Sequence, residues 1–298
     1  VKEARFYNIE DGKIRCNLCP HRCLIKDGHF GICGARKSSS VCGELKLYTI
    51  NYGEITSISM DRIEKKPLYE FYKGSEILSI GSFGCNFKCS FCQNYSISQY
   101  MPKSKKMTVE EVSELVCSTF DNLGVAFTYN EPSIFYEFVY DVSKRIKELN
   151  KDKKIVLVTN GYINKEPFKK LAPFIDAMNI DLKGDNDYYN KLCKGRIEPV
   201  KDIIRVASKS GIHVEITTLL VTGENTNNSF IEELGNFIES IDVNIPLHLS
   251  RYFPNYKMTK EMTSLEEMKD AYRLLRGKVK NIYLGNVTEE EEKYIKEI

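Results

Sequence analysis

The sequence predicts an α/β fold: a partial or closed parallel (β/α) barrel, TIM-like, of about six units, with a small cysteine-rich N-terminal domain. Three observations predict it. From residue 77 onward short β-branched runs alternate with amphipathic stretches, and strict alternation of this kind calls for parallel strands joined by crossover helices. About six such units in roughly two hundred residues suit a barrel better than two domains, with a doubly wound open sheet as the alternative. Residues 1–76 do not share the rhythm; they carry cysteines and glycines and finish in a polar segment, Asp61 to Lys66, before Pro67. The expected division is therefore 1–76 as an accessory domain and linker, and 77–298 as the barrel core with a C-terminal extension.

Each unit has its own signal. Ile77 to Ser82 is a strand, and Thr108 caps a helix whose first turn holds Glu110 and Glu111. Val125–Thr128 is followed by a helix over Ser133–Leu149, Lys154–Thr159 by Glu166–Leu171, and Ala177–Leu182 by a helix near Val200–Lys209. Val214–Val221 precedes Ser229–Ile241, Pro246–Tyr252 precedes Leu265–Arg276, and Asn281–Leu284 is a last strand. In either parallel fold the functional side chains belong at the C-terminal ends of the strands.

Composition narrows the function. The 298 residues hold 43 Lys and Arg against 41 Asp and Glu, so no basic footprint for a nucleic-acid backbone is expected. Lys103, Lys105 and Lys106 read as a solvated loop. No basic segment leads into an apolar run, and stretches such as Ile155–Val158 are too short to cross a bilayer; a soluble, cytoplasmic protein is expected, without membrane partners. Ten cysteines in a reducing compartment imply ligands rather than disulfides, and eight of them precede residue 93 in two tight groups. Cys117 reads as a small buried hydrophobe on a helix; Cys193, before Lys194-Gly195, stands in a loop where its spacing decides nothing.

The second group, Cys85, Cys89 and Cys92, lies on the loop after the first barrel strand, at the mouth where an active site belongs. Gly84, Asn86, Lys88 and Ser90 around it are poor core formers. Thiolates at this spacing wrap an iron-sulfur cube, and three protein ligands leave one iron open to a substrate or cofactor, whereas a structural zinc site would be closed by four.

Cys85-x-x-x-Cys89-x-Phe91-Cys92 resembles the signature of the radical S-adenosylmethionine (SAM) superfamily, with Phe91 at its aromatic position. Strand-end motifs resembling that superfamily, and its glycyl-radical-enzyme activating members in particular, follow in order: Tyr129-Asn130-Glu131-Pro132, Thr159-Asn160-Gly161 and Asp181-Leu182-Lys183. Cys16-Asn-Leu-Cys19-Pro-His-Arg-Cys23, Glu64-Lys-Lys-Pro67-Leu-Tyr69, His248-Leu-Ser-Arg251-Tyr-Phe-Pro254 and Leu284-Gly-Asn286-Val287 resemble more narrowly the radical SAM member of the AmmeMemoRadiSam system, across nearly the whole chain.

The resemblance implies a 4Fe-4S cluster on Cys85, Cys89 and Cys92, with SAM chelating the open iron and cleaved to a 5′-deoxyadenosyl radical that takes hydrogen from a substrate. Asn130 and Glu131 match a Gly-Gly-Glu-Pro segment that meets the cofactor's amino group, with Tyr129-Asn130 in place of the glycines. Lys183 would pair with the cofactor carboxylate and Asp181 with ribose or another strand-end donor; Thr159, Asn160, Thr218, Ser250 and Arg251 would contact ribose or substrate. A one-electron donor such as flavodoxin or ferredoxin, Memo-like proteins of the same system and a protein substrate are the implied partners. The substrate is expected to be a protein or an amino-acid-derived molecule. A glycyl-radical activase is the runner-up, with Gly184–Gly195 and Phe253–Thr263 as gating or docking loops, and a non-catalytic iron-sulfur carrier is the alternative of another class.

The first cysteine group is separate. Cys16, Cys19, Cys23 and Cys33 supply four sulfur ligands, with His21 and Cys42 in reserve. Structural zinc or a second iron-sulfur cluster both suit that set, with zinc slightly favoured. His29, His213 and His248 read as structural, His248 being the exception if its strand end faces the site.

Overall fold

The computed structural model describes residues 1–297. At its centre is one eight-stranded sheet whose spatial order follows the chain. Strand β1 (Ser57–Arg62) pairs antiparallel with β2 (Glu76–Gly81). Then come β3 (Asn122–Phe127), β4 (Lys154–Thr159), β5 (Ala177–Asp181), β6 (His213–Leu220), β7 (Leu247–Arg251) and β8 (Ile282–Gly285), each parallel to its predecessor. A doubly wound sheet reverses its order at a switch point; this one never reverses. β1 and β8 stay as its two edges, so the partial barrel is the form adopted.

The strands fall where β-branched runs end in turn residues, and the helices where capping chemistry starts them. Thr108 and Glu111 form a reciprocal capping box on α1 (Val109–Ser118). Pro132 opens a 3-10 turn that runs into α2 (Tyr136–Leu149). α3 (Lys165–Leu171), α4 (Ile197–Lys209), α5 (Asn228–Glu239) and α6 (Leu265–Leu275) cross between successive strands, and α7 (Glu289–Lys296) follows β8. Cys117 is half-buried rather than buried, because α1 turns it toward the edge of its apolar stripe.

Residues before the barrel form two three-stranded antiparallel sheets, Lys2–Glu3 with Glu44–Thr49 and Arg36–Val41, and Tyr7–Glu10 with Lys13–Cys16 and Leu24–Ile25. Their inward residues Ile14, Leu18, Ala35 and Leu47 join the same buried cluster as Ile134, Tyr136 and Phe138 of the barrel. Glu54–Ile55 pairs antiparallel with Lys105–Lys106, so the lysine run expected as a solvated loop is in part a strand. β1 departs from the sequence reading, which took Asp61 onward as linker: polar Ser57, Ser59 and Asp61 form a strand because β2 supplies the hydrogen bonds.

The segment between β1 and β2 threads the barrel interior and makes its floor. Ile63 and Leu68 are buried against Ile77, Ala126, Val156 and Ala177, one residue from each of β2 to β5. The Asn179 side-chain amide donates to the Pro67 carbonyl at 2.8 Å. Glu215 on β6 accepts the Tyr69 and Glu70 amides at 3.0 and 2.8 Å, and His213 and His248 donate to the same carboxylate at 2.9 and 2.6 Å. His248 is therefore structural, as Tyr69 also packs edge-on against its ring.

Burial alone would raise the Glu215 carboxyl, but these hydrogen bonds outweigh it and hold the group at about 2. A carboxyl depressed in the folded state stabilises fully above its unfolded value near 4.5 and loses that contribution as pH falls through about 2. Glu215→Gln should cost about 1–3 kcal/mol at neutral pH and flatten the acid limb of thermal stability. Equal melting temperatures at pH 7 and parallel losses below pH 4 would refute this latch.

Candidate active site

The loop after β2 presents Cys85, Cys89 and Cys92 at the C-terminal end of the barrel. Its backbone is held on both sides. Lys88 N and Ser90 N donate to Cys193 O and Leu192 O at 2.9 and 3.2 Å, and Lys257 N donates to Ser90 O at 2.9 Å. Cys85 Sγ accepts Phe87 N at 3.3 Å and the Asn160 amide at 3.6 Å. Cys92 Sγ lies 3.2 Å from Ser98 Oγ.

Burial, then Glu131 and Cys89, push the Cys85 thiol far up. The neighbouring Cys193 thiol, then burial, does the same to Cys89, and burial raises Cys92. Among the described residues no three His, Cys, Asp or Glu side chains close around a single point as one ion requires; an iron-sulfur cube, which is larger than an ion, sets its cysteines farther apart. Three thiols on one short loop with an open side thus fit the cluster.

Beneath the triplet lies a cavity of about 450 Å³, lined by Cys89, Phe91 and Cys92 above, Asp181, Lys183 and Ser250 on the wall, and Lys66 on the floor. Lys183 Nζ donates to Asp181 Oδ2 at 2.7 Å, and its backbone N–H to Tyr189 Oη at 3.1 Å. Burial works against the Lys183 charge, but Asp181, Cys89 and Cys193 raise its pKa well above the ordinary lysine value. Phe91 packs against Tyr188 at 5.7 Å between ring centroids. A larger surface groove of about 670 Å³ lies between the N-terminal strands and α3 and α4 and carries none of these residues.

The other strand-end residues divide by strand periodicity. Thr217 and Leu219 face the cavity; Thr218 between them is buried on the other side, donating to Leu182 O at 2.8 Å. Ser250 lines the cavity, whereas Arg251 points away, to Thr263 O at 2.6 Å and Glu291 at 2.8 Å. Ribose or substrate contacts expected of Thr218 and Arg251 are thus absent from this arrangement.

Asn130, Glu131, Thr159 and Asn160 sit behind the cluster loop rather than on the cavity wall. Asn130 accepts Ser82 N at 3.0 Å and donates to Gly84 O at 3.1 Å, which fastens the start of the loop to the end of β3. Glu131, 2% exposed, accepts Thr159 Oγ1 at 2.6 Å, Asn160 N at 2.8 Å and Ser133 N at 2.9 Å. Burial outweighs these bonds and raises its pKa. It ties β3 to β4 and still has lone pairs for a further donor.

Sequence reasoning missed Lys66, Tyr129, Thr217 and Asn286 as cavity residues. Two had a signal. Lys66 stands in the Glu64–Tyr69 stretch and Asn286 in Leu284–Val287, both singled out without a role. Tyr129 has φ +70°, a left-handed conformation that glycine adopts freely, at the place where Gly-Gly-Glu-Pro has a glycine. Its hydroxyl donates to Asp61 at 2.7 Å, and Lys66 completes the group by donating to Asp61 at 2.9 Å. Cys193 was read as a loop residue; it ends a π-helical turn, Tyr189–Cys193, and is buried beside Cys89.

No helix among the described residues is long and apolar enough to cross a membrane. Comparison with known proteins gives a consistent result. The profile of the Radical SAM superfamily matches residues 79–238. The chain is 40% identical over 294 residues to an uncharacterized protein of Methanocaldococcus jannaschii, covering 96% of this chain and 86% of that one. To a putative glycyl-radical enzyme activating enzyme of the same organism it is 26% identical over 214 residues, covering 69% and 85%. Among solved structures, Streptococcus suis SuiB superposes with a TM-score of 0.55 at 16% identity, over 73% of this chain and 50% of SuiB. The chain spans about half the length of SuiB, and the likeness is one of fold alone.

Proposed function

The chain belongs to the radical SAM superfamily, and on that premise we propose that this radical SAM enzyme holds a 4Fe-4S cluster on Cys85, Cys89 and Cys92, binds SAM in the cavity beneath them, and acts on a residue of a protein or peptide or on an amino-acid-derived molecule. One observation carries the reading: two of the three thiols, Cys89 and Cys92, line a cavity that also bears the Asp181–Lys183 pair and residues 65–67. When bound, the cluster supplies the electron that cleaves SAM to methionine and the 5′-deoxyadenosyl radical, chemistry that belongs to the cofactor.

The chain's own residues do the rest. Lys183, held protonated by Asp181, offers a fixed cation to the SAM carboxylate. Glu131, buried behind the cluster loop, fixes Thr159 and Asn160 at the loop's back. Phe91, Val158 and Leu219 make the cavity partly apolar, and the floor segment bounds it, which would limit the water reaching a bound cofactor. Asp61, Tyr129 and Lys66 lock that floor in place.

Cavity size supports the substrate class. About 450 Å³ suits one drug-sized ligand; with SAM in it, a substrate can insert only a small group such as an amino-acid side chain. SuiB, of the same fold, has been crystallised with S-adenosylmethionine and with its precursor peptide SuiA. The activase reading is the second one, favoured by the match over 85% of a putative glycyl-radical enzyme activating enzyme. A place in an AmmeMemoRadiSam system, with a flavodoxin or ferredoxin as reductant, remains part of the proposal.

The test is anaerobic reconstitution with iron and sulfide, then dithionite and SAM. 5′-Deoxyadenosine should form at a rate at least about 100-fold above a Cys89→Ala control; equal yields would sink the radical reading. Incubation with peptides and proteins from the same cells, followed by mass spectrometry, should then reveal a modified residue rather than a modified free metabolite.

A further inference from the structure

We propose that Cys16, Cys19, Cys23 and Cys33 form a second, closed centre that takes an iron-sulfur cluster rather than the single zinc ion slightly favoured by spacing, since among the described residues no three such side chains close around one point, and that its occupancy positions the loop bearing Cys85, Cys89 and Cys92. The four thiols come from the end of one strand, the turn after it and a loop ten residues further on, yet all four line one enclosed site, walled by Leu18, Ile25, Ile32 and Ile134. Cys16, Cys19 and Cys33 are buried, and Cys23 half-buried. All four are free thiols, an arrangement with no apolar-packing advantage over alanine or valine. Sulfur-only donors select zinc or iron-sulfur, and four of them leave no position open, in contrast to the triplet.

The charge balance agrees. Arg36, 1% exposed, donates to Cys16 Sγ at 3.7 Å and to the Glu137 carboxylate. An iron-sulfur cluster on four thiolates carries net negative charge, and a buried guanidinium beside it offsets that charge.

The second half of the inference rests on where the ligand loops touch the barrel. Cys33 O accepts the N–H of Cys85, first of the triplet, at 3.2 Å. The intervening backbone approach requires Gly84: it has φ +91°, and a Cβ there would lie 2.8 Å from Cys33 O and 3.0 Å from Ala35 Cβ. His21, between Cys19 and Cys23, sets its ring Nε2 2.8 Å from Asn86 O, which as a carbonyl requires that nitrogen to donate. Asn164, in the loop after β4, donates its backbone N–H to Leu18 O at 3.0 Å and its side-chain amide to Asn17 O at 2.7 Å. A metal that joins residues 16–23 to residue 33 therefore braces residues 84–86 from two sides. The positioning role rests on the triplet holding the cluster; the existence of the centre does not.

Full-length chain carrying Cys85→Ala, Cys89→Ala and Cys92→Ala, purified anaerobically, separates the two. It is expected to retain about four irons with sulfide per chain, and to lose them when Cys16→Ser and Cys19→Ser are added. Substoichiometric metal in the triple variant, or metal that persists after the serine changes, overturns the centre whatever the fate of the radical reading. For positioning, Cys16→Ser/Cys19→Ser in the otherwise native chain should weaken, by at least about tenfold in SAM concentration, the SAM-induced change in the electron paramagnetic resonance spectrum of the reduced cluster. His21→Ala, which keeps all four thiols, should keep the second metal and shift the same titration in the same direction. Unchanged titrations in a serine variant that has lost its second metal, or in His21→Ala, overturn the brace.

Discussion

Replacing Arg36 with methionine is expected to lower the melting temperature by roughly 10 °C, on the order of 3–5 kcal/mol. Arg36 and Glu137 form an ion pair whose side chains are each 1% exposed, and it joins the N-terminal sheets to α2. Besides Glu137, the guanidinium holds Arg5 O at 2.8 Å. Taking it away strands the Glu137 carboxylate in the core with only the Arg5 amide, at 2.8 Å, as a partner. An isolated buried charge is far costlier than a buried pair, so the double change Arg36→Met with Glu137→Leu should recover a large part of the loss. Thermal denaturation of both variants checks it. A single variant that melts within 1 °C or so of the native chain would mean that water or another cation already serves Glu137.

Lys183→Met is expected to raise the KM for SAM by about 10- to 100-fold, the cost of one charge-assisted hydrogen bond of about 1.5–3 kcal/mol, with the iron content of the triplet unchanged. The amine lies between Asp181 and the triplet, and its raised pKa keeps it charged across the working pH range. Because it lies on the wall of the cavity and not on the cluster loop, its loss should fall mainly on KM and much less on the kcat for deoxyadenosine. A purely structural role would instead lower the melting temperature and leave KM alone. Thr218→Ala is the matched control: Thr218 is one strand residue away from the cavity face, so KM should stay within about twofold while stability falls by about 1 kcal/mol.

The outline of the barrel was legible because each unit carries its own local signals. Lys154–Thr159 was expected to the residue, and β5 to β8 to within one residue at each end. Alternating apolar residues, Thr108 as cap and the turn residues after each strand act over a few positions, so they survive in a one-dimensional reading. The metal triplet was legible for the same reason, since its three ligands fall within eight residues.

What was not legible depends on partners far away in the chain. Ser57–Arg62 has no strand signal of its own and becomes one only by pairing with Glu76–Gly81. The floor segment was visible as Glu64–Tyr69 without a place, because its place is set by Asn179 and Glu215, more than a hundred residues later. Thr218 and Arg251 were named beside Ser250 because a list of strand-end residues does not say which side of the strand each occupies. That is decided by register, and one position reverses the answer.

By itself the sequence determined the parallel β/α alternation, the three-cysteine loop at a strand end and the four-cysteine set before it, since each is written in spacings of a few residues. Only the tertiary structure decided that the barrel stays open between β1 and β8, that Lys66 lies on the cavity floor, and that Cys33 meets Cys85 across fifty residues of chain. The physical reason is that such contacts arise from burial and backbone pairing between distant segments, where every polar group taken from water must find its partner in the fold.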